Sequence, residues 1–122
     1  MSLTTSLADL AIILVEPSQM QAHLVTRMLE HQGVRKVSTV DKASAAMALL
    51  KAESTNVIVI SSLYLPDQAG TELVAAMRAN PDFETVPFIL VSSETRPQVL
   101  EPVRQSGACS IVAKPFNEQQ LS

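Results

Sequence analysis

The sequence predicts an α/β fold built on a parallel sheet, and three observations carry that reading. Short apolar runs, largely β-branched, recur at 11–15 (AIILV), 57–60 (VIVI) and 88–91 (FILV). No polar residue alternates within them, as expected of strands buried on both faces. The segments between the runs place apolar residues at helical spacing, and loops marked by Pro, Gly, Asn or Ser separate the two kinds of segment. Strands alternating with helices imply βαβ units, whose right-handed crossovers put helices on both faces of the sheet.

Taken in order, the first strand ends at Glu16-Pro17-Ser18. The helix that follows carries Met20, Leu24, Val25, Met28 and Leu29, expected on one buried face, with Ser18 as N-cap and Gly33 as its stop. Residues 37–40 make a weaker, more polar strand suited to a sheet edge. Asp41 is placed to cap a second helix, whose buried stripe is Ala43, Ala46, Met47 and Leu50. The third strand, 57–60, runs into Ser61-Ser62 and a loop with Pro66 and Gly70. Thr71 is expected to cap a third helix bearing Leu73, Val74 and Met77, which Asn80-Pro81 ends. After the fourth strand a helix is expected near residues 99–106, weakened by Pro102. Residues 110–113 form a short fifth strand before Lys114-Pro115-Phe116, and a last helix begins at Asn117.

A chain of 122 residues is one domain with enough material for a real core. Its first nine residues read as a leader, and Met1-Ser2-Leu3 is compatible with a cloning remnant. Because the sequence stops soon after the last helix begins, a piece of a longer protein is expected. The start lacks the basic and apolar regions of a secretory signal, and no apolar run is long enough to span a bilayer. A cytoplasmic protein with no membrane association is the default. Net charge is −3 and aromatic content 3%, which argues against a nucleic-acid surface. A lone Cys109 excludes an internal disulfide and disfavours zinc; it reads as a core residue.

Gly33, Gly70 and Gly107 are each 37 residues apart, but two follow helices and one precedes a helix, so the spacing is taken as chance. Three such dispersed glycines make neither a dinucleotide-binding loop nor a Walker phosphate loop. Ser62 is not in a nucleophile elbow, and His23 and His31, both on the first helix, read as solvated residues rather than as its base. Open parallel sheets bind ligands at the carboxyl ends of their strands. The residues expected there are Glu16, Ser62, Ser92, Ser93, Glu94 and Lys114.

At this point the chain resembles a family. The acidic position after an apolar first strand, the LPxxxG loop at Leu65–Gly70, VPFILVSSE at the fourth strand and GACSIVAKPF at the fifth occur together, in order, over nearly the whole chain. This pattern is similar to the receiver domains of two-component response regulators, the CheY-like family. The resemblance implies a flavodoxin-like sheet of five parallel strands in the order 2-1-3-4-5, helices on both faces, and a last helix that this sequence truncates. It also implies the family's site. Two acids after strand one and an aspartate ending strand three hold Mg²⁺, and that aspartate takes a phosphoryl group from a histidine kinase. A hydroxyl after strand four and a lysine after strand five contact the phosphoryl oxygens. Mg²⁺ wants hard oxygen ligands in octahedral geometry, and it neutralises charge during the transfer.

Residue by residue, this chain departs from that pattern. The acceptor position, counted back from Pro66, is Ser62, and the acid pair is Glu16-Pro17. Ser92 and Lys114 match the hydroxyl and lysine, whereas Ile111 stands where an aromatic switch residue often sits. Serine forms no acyl phosphate and proline offers no side-chain ligand, so no resident metal or other cofactor is expected. The expectation is a degenerate receiver that is not an enzyme and acts by protein–protein interaction. By family analogy its surface is the fourth helix, fifth strand and fifth helix, roughly Pro97 to Ser122, with a partner, neighbouring domains or a homodimer as occupant. Each residue also has a purely structural account: Lys114 pairing with Glu16, Ser92 bonding backbone, Ser62 replacing a carboxylate that has lost its metal. Two other readings stand beside this one. Ser62 is a target for a serine/threonine kinase, its phosphate received by Lys114 and Ser92; or the cleft serves a flavodoxin-like enzyme or small-ligand binder, against which the missing phosphate loop and few aromatics weigh.

Overall fold

The computed structural model describes residues 10–52, 56–92 and 110–113. Its elements, in order, are β1 (Ala11–Val15), α1 (Gln19–His31), β2 (Lys36–Val40), α2 (Ala43–Ala52), β3 (Val57–Ser62), α3 (Gly70–Arg78), β4 (Phe88–Ser92) and β5 (Ser110–Ala113). The five strands form one sheet in the order β2-β1-β3-β4-β5, and every pairing is parallel. The expected helices near 99–106 and from Asn117 lie outside the described residues, as do Cys109 and Gly107.

Alternation of side chains along β1 divides the core into two layers. Ile13 and Val15 join Ala43, Ala46 and Leu50 of α2 and Leu73, Val74 and Met77 of α3. Ile12 and Leu14 join Ala22, Val25 and Leu29 of α1 on the opposite face. Every residue of β1 is buried, which is why its sequence shows no polar alternation. Burial of each large aliphatic side chain contributes about 1.5–3 kcal/mol, and β1 buries four of them, Ile12, Ile13, Leu14 and Val15. The edge strand β2 is half-exposed, as its more polar sequence suggested.

Helix α1 begins and ends as expected. The Ser18 side chain accepts a hydrogen bond from the Gln21 N–H at 3.3 Å. Gly33, at φ 104°, sits in the left-handed region, and the Gly33 and Val34 N–H groups bond to the Glu30 and Leu29 carbonyls, each at 3.0 Å. That pair of bonds is the double closure typical of a glycine-terminated helix. The buried face differs from the one expected. Ala22, Val25 and Leu29 face the sheet, while Met20 and Leu24 are 73% and 53% exposed and Met28 is half-buried. Met20 lies two residues, about 200° of rotation, from Ala22, so the two cannot share a face. The small Ala22 lets the helix approach the sheet, and helical spacing alone does not distinguish it from larger neighbours.

Two caps also differ. Asp41 makes no capping bond; the first N–H groups of α2 go to a residue far along the chain, described below. Helix α3 starts one residue before Thr71, with Ala69 as N-cap, and Glu72 reaches back to accept the Ala69 N–H at 3.0 Å. Its end at Ala79 before Asn80-Pro81 matches the sequence. The guanidinium of Arg78 then donates to the carbonyls of Phe83, Glu84 and Val86 at 3.3, 3.2 and 2.8 Å, which folds the turn into β4.

Candidate functional site

Strands β1 and β3 run side by side with Val15 opposite Ser61, so the next residues, Glu16 and Ser62, meet at the carboxyl end of the sheet. β3 extends two residues beyond the apolar run, which pairs Ser62 with Val91 of β4 and fixes its backbone. The Ser62 hydroxyl donates to Glu16 Oε1 at 2.5 Å, and the Ser18 N–H donates to Glu16 Oε2 at 3.0 Å. One carboxylate thus ties the end of β3 to the start of α1. Both residues are buried, at 8% and 7% exposure. A buried carboxylate is tolerated only with such partners. Ser61, fully buried behind them, donates its hydroxyl to the Ser62 carbonyl at 2.8 Å.

Gly70 closes the other side. A Cβ built there would lie 2.5 Å from the Ser62 carbonyl oxygen and 3.0 Å from Leu90 Cδ1. The Gly70 N–H meanwhile bonds the Leu63 carbonyl at 2.6 Å. The glycine of the LPxxxG loop is therefore required by a close approach of α3 to β3, not by an unusual backbone angle.

The remaining sequence-singled residues are placed as follows. Pro17 is exposed and follows Glu16 directly. Ser92 ends β4 opposite Ala113, and Ile111 lies in β5 opposite Leu90. Ser93, Glu94 and Lys114 lie outside the described residues, and so does the greater part of the surface from Pro97 to Ser122. A cleft of about 390 Å³ opens beside the pair between α1, β2 and α2, lined by Glu16, Pro17, Gln19, Thr39 and Asp41 among others.

These residues do not fit the Mg²⁺ site that the resemblance implies. Where that site needs three carboxylates, the corresponding positions hold Glu16, Pro17 and Ser62, and both oxygens of Glu16 already accept hydrogen bonds. Among the described residues no three His, Cys, Asp or Glu side chains cluster as a metal site would require.

The contact made by one acid near the site, Asp67, was not read from the sequence. Asp67, in the β3–α3 loop, accepts the N–H groups of Ala43 and Ser44 at 2.9 and 3.0 Å. Those two backbone bonds hold its carboxyl below the ordinary aspartate range. A Pro-Asp step in a loop is a weak signal, and its partners lie 24 and 23 residues earlier.

The comparisons with known proteins agree with this fold. The family model described as "Response regulator receiver domain" matches residues 12–122. The two-component response regulator ORR7 of Oryza sativa subsp. japonica is 22% identical over 91% of this chain. The match covers 52% of ORR7, so the chain spans about half the length of that relative. Among solved structures, the signal receiver domain of a histidine kinase from Syntrophus aciditrophicus superposes with a TM-score of 0.81 at 26% identity, covering 91% of this chain and 83% of that one. The chemotaxis response regulator CheY4 of Vibrio cholerae gives the same score and identity over 92% of each chain.

Proposed function

The chain belongs to the response regulator receiver family of two-component signalling, and we propose that within it this is a degenerate receiver that works without accepting phosphate. The observation that carries the reading is the Ser62–Glu16 hydrogen bond. The acceptor position holds a hydroxyl that donates to the one carboxylate left of the family's acid set. A receiver aspartate would instead present a second negative charge there, to be shared with a metal ion. With the donor and acceptor satisfied by each other, the site holds itself together without a cation.

Its work is then protein–protein interaction, in the cytoplasm and without catalysis of its own, through the fifth strand and the flanking helices of the family's output face or through neighbouring domains. Phosphorylation of Ser62 by a serine/threonine kinase is the weaker alternative. Ser62 is 7% exposed, and a phosphate there would sit against the Glu16 carboxylate. Among the described residues no helix is long and apolar enough to cross a membrane.

The test is an amide NMR titration with Mg²⁺, followed by beryllofluoride. The expected result is that the resonances of Glu16, Ser62, Ser92 and Lys114 stay still at millimolar Mg²⁺. Saturable shifts at those positions, strengthened by beryllofluoride, sink the proposal.

A further inference from the structure

We infer that Asp67 is a latch that makes the β3–α3 loop and the start of α2 move as one unit. Helix α2 begins without a capping side chain of its own, since Lys42 precedes it and Asp41 makes no bond. Four N–H groups at any helix start need partners. Two of them, from Ala43 and Ser44, go to the two carboxylate oxygens of Asp67, one each. These backbone bonds join the loop to α2, and the Ser44 side chain adds a hydrogen bond to the same carboxylate.

The loop is a closed structure in its own right. Tyr64 and Ala69 face each other in an antiparallel bridge, Leu65 N–H bonds the Gln68 carbonyl at 3.2 Å, and Gly70 N–H bonds Leu63 at 2.6 Å. Asp67 sits at the tip of this closure, opposite its foot at Ser62. A pull on the tip is therefore carried through this closure to Leu63, the chain neighbour of the residue that meets Glu16. The loop also carries Tyr64, one of the large apolar residues left exposed, at 70%. The bridge to Ala69 holds the backbone from which this ring projects, and aromatic anchors on a pre-organised backbone lose less entropy on contact with a partner. The latch thus couples the position of α2 to the presentation of Tyr64. It stands whether or not a cation binds at Glu16.

Amide hydrogen exchange, read by NMR on the wild-type chain and on Asp67→Ala and Asp67→Asn, tests this. In Asp67→Ala the Ala43 and Ser44 amides are expected to exchange at least about fivefold faster, the loss of a helix cap. The amides of Leu65 and Gly70 should quicken with them, and Asp67→Asn, which keeps one acceptor oxygen, should fall between. If Ala43 and Ser44 quicken while Leu65 and Gly70 keep their wild-type rates, Asp67 is a cap and no latch. Unchanged rates at all four amides overturn the inference outright. Should Asp67→Ala unfold as a whole, the Asp67→Asn comparison at the same four amides decides between the same outcomes.

Discussion

Ser62 and Glu16, 46 residues apart in the chain, meet in a 2.5 Å hydrogen bond in which the hydroxyl donates and the carboxylate accepts. Strand register brings them together, and burial makes the bond matter. The Ser18 N–H takes the other carboxylate oxygen at 3.0 Å, so both oxygens of Glu16 accept from groups of this chain. Five outcomes are expected from it and from its surroundings.

Ser62→Ala removes a donor from a buried carboxylate without adding bulk. A hydrogen bond to a charged group contributes about 1.5–3 kcal/mol, and the variant should lose stability in that range. Urea denaturation with an unchanged slope measures it. No loss would mean that the bond is absent in solution.

Ser62→Asp combined with Pro17→Asp restores the family's acids. Two of the carboxylates then face each other where the hydroxyl now bridges, and like charges at that distance disfavour ionisation of both. Without metal the variant should melt below the wild type. Millimolar Mg²⁺ should raise its melting temperature by mass action and leave the wild type where it was. Equal responses of the two proteins to Mg²⁺ would remove the physical basis for calling Ser62 and Pro17 the cause.

Gly70→Ala sets two effects against each other. Helix propensity favours alanine by about 1 kcal/mol. The new methyl, however, would sit 2.5 Å from the Ser62 carbonyl, on a strand hydrogen-bonded on both sides. Overpacking of this kind costs about 1–3 kcal/mol or more, so the clash should win and the variant should be less stable. Amide shifts concentrated at Ser62 and Leu63 would locate the strain.

Leu24→Ala and Leu29→Ala separate the two faces of α1. Leu29 is 5% exposed within the core layer and should cost about 2–5 kcal/mol. Leu24, half-exposed, should change stability by no more than about 0.5 kcal/mol. Thermal melts of the pair give the answer directly, and equal losses would contradict the orientation of the helix.

Acid should release Asp67. Its carboxyl is held below its unfolded value because the folded state supplies the Ala43 and Ser44 N–H bonds. A depressed folded-state value means that the bonds contribute above the unfolded value, about 3.9, and are lost as pH falls through the folded one. The Ala43 and Ser44 amide resonances should therefore hold steady at neutral pH and move together only below about pH 4. A common midpoint above that value would contradict the two bonds.

Much of this protein was legible in its residues. The apolar runs marked β1, β3 and β4 because a strand covered on both faces has no polar positions to spare. Ser18 and Gly33 marked the ends of α1 because caps act within a few residues of the chain they close. That Glu16 and Ser62 stand at the carboxyl end of the sheet was legible too, from the apolar runs that precede them. Near neighbours in the chain thus set strand, helix, turn and the kind of chemistry each position can offer.

Which residues meet across the fold is not written in any short stretch of the chain. The face of α1 that turns inward depends on how closely Ala22 lets the helix approach the sheet, and Met20 and Leu24 lose that contest. The cap of α2 comes from Asp67 rather than Asp41, because a loop 24 residues away arrives with both carboxylate oxygens in reach of the helix start. The bond between Ser62 and Glu16 needs β1 and β3 to lie in one particular register. Contacts between distant segments are set by packing and register, which reward the whole arrangement at once and leave no mark on any short stretch of chain.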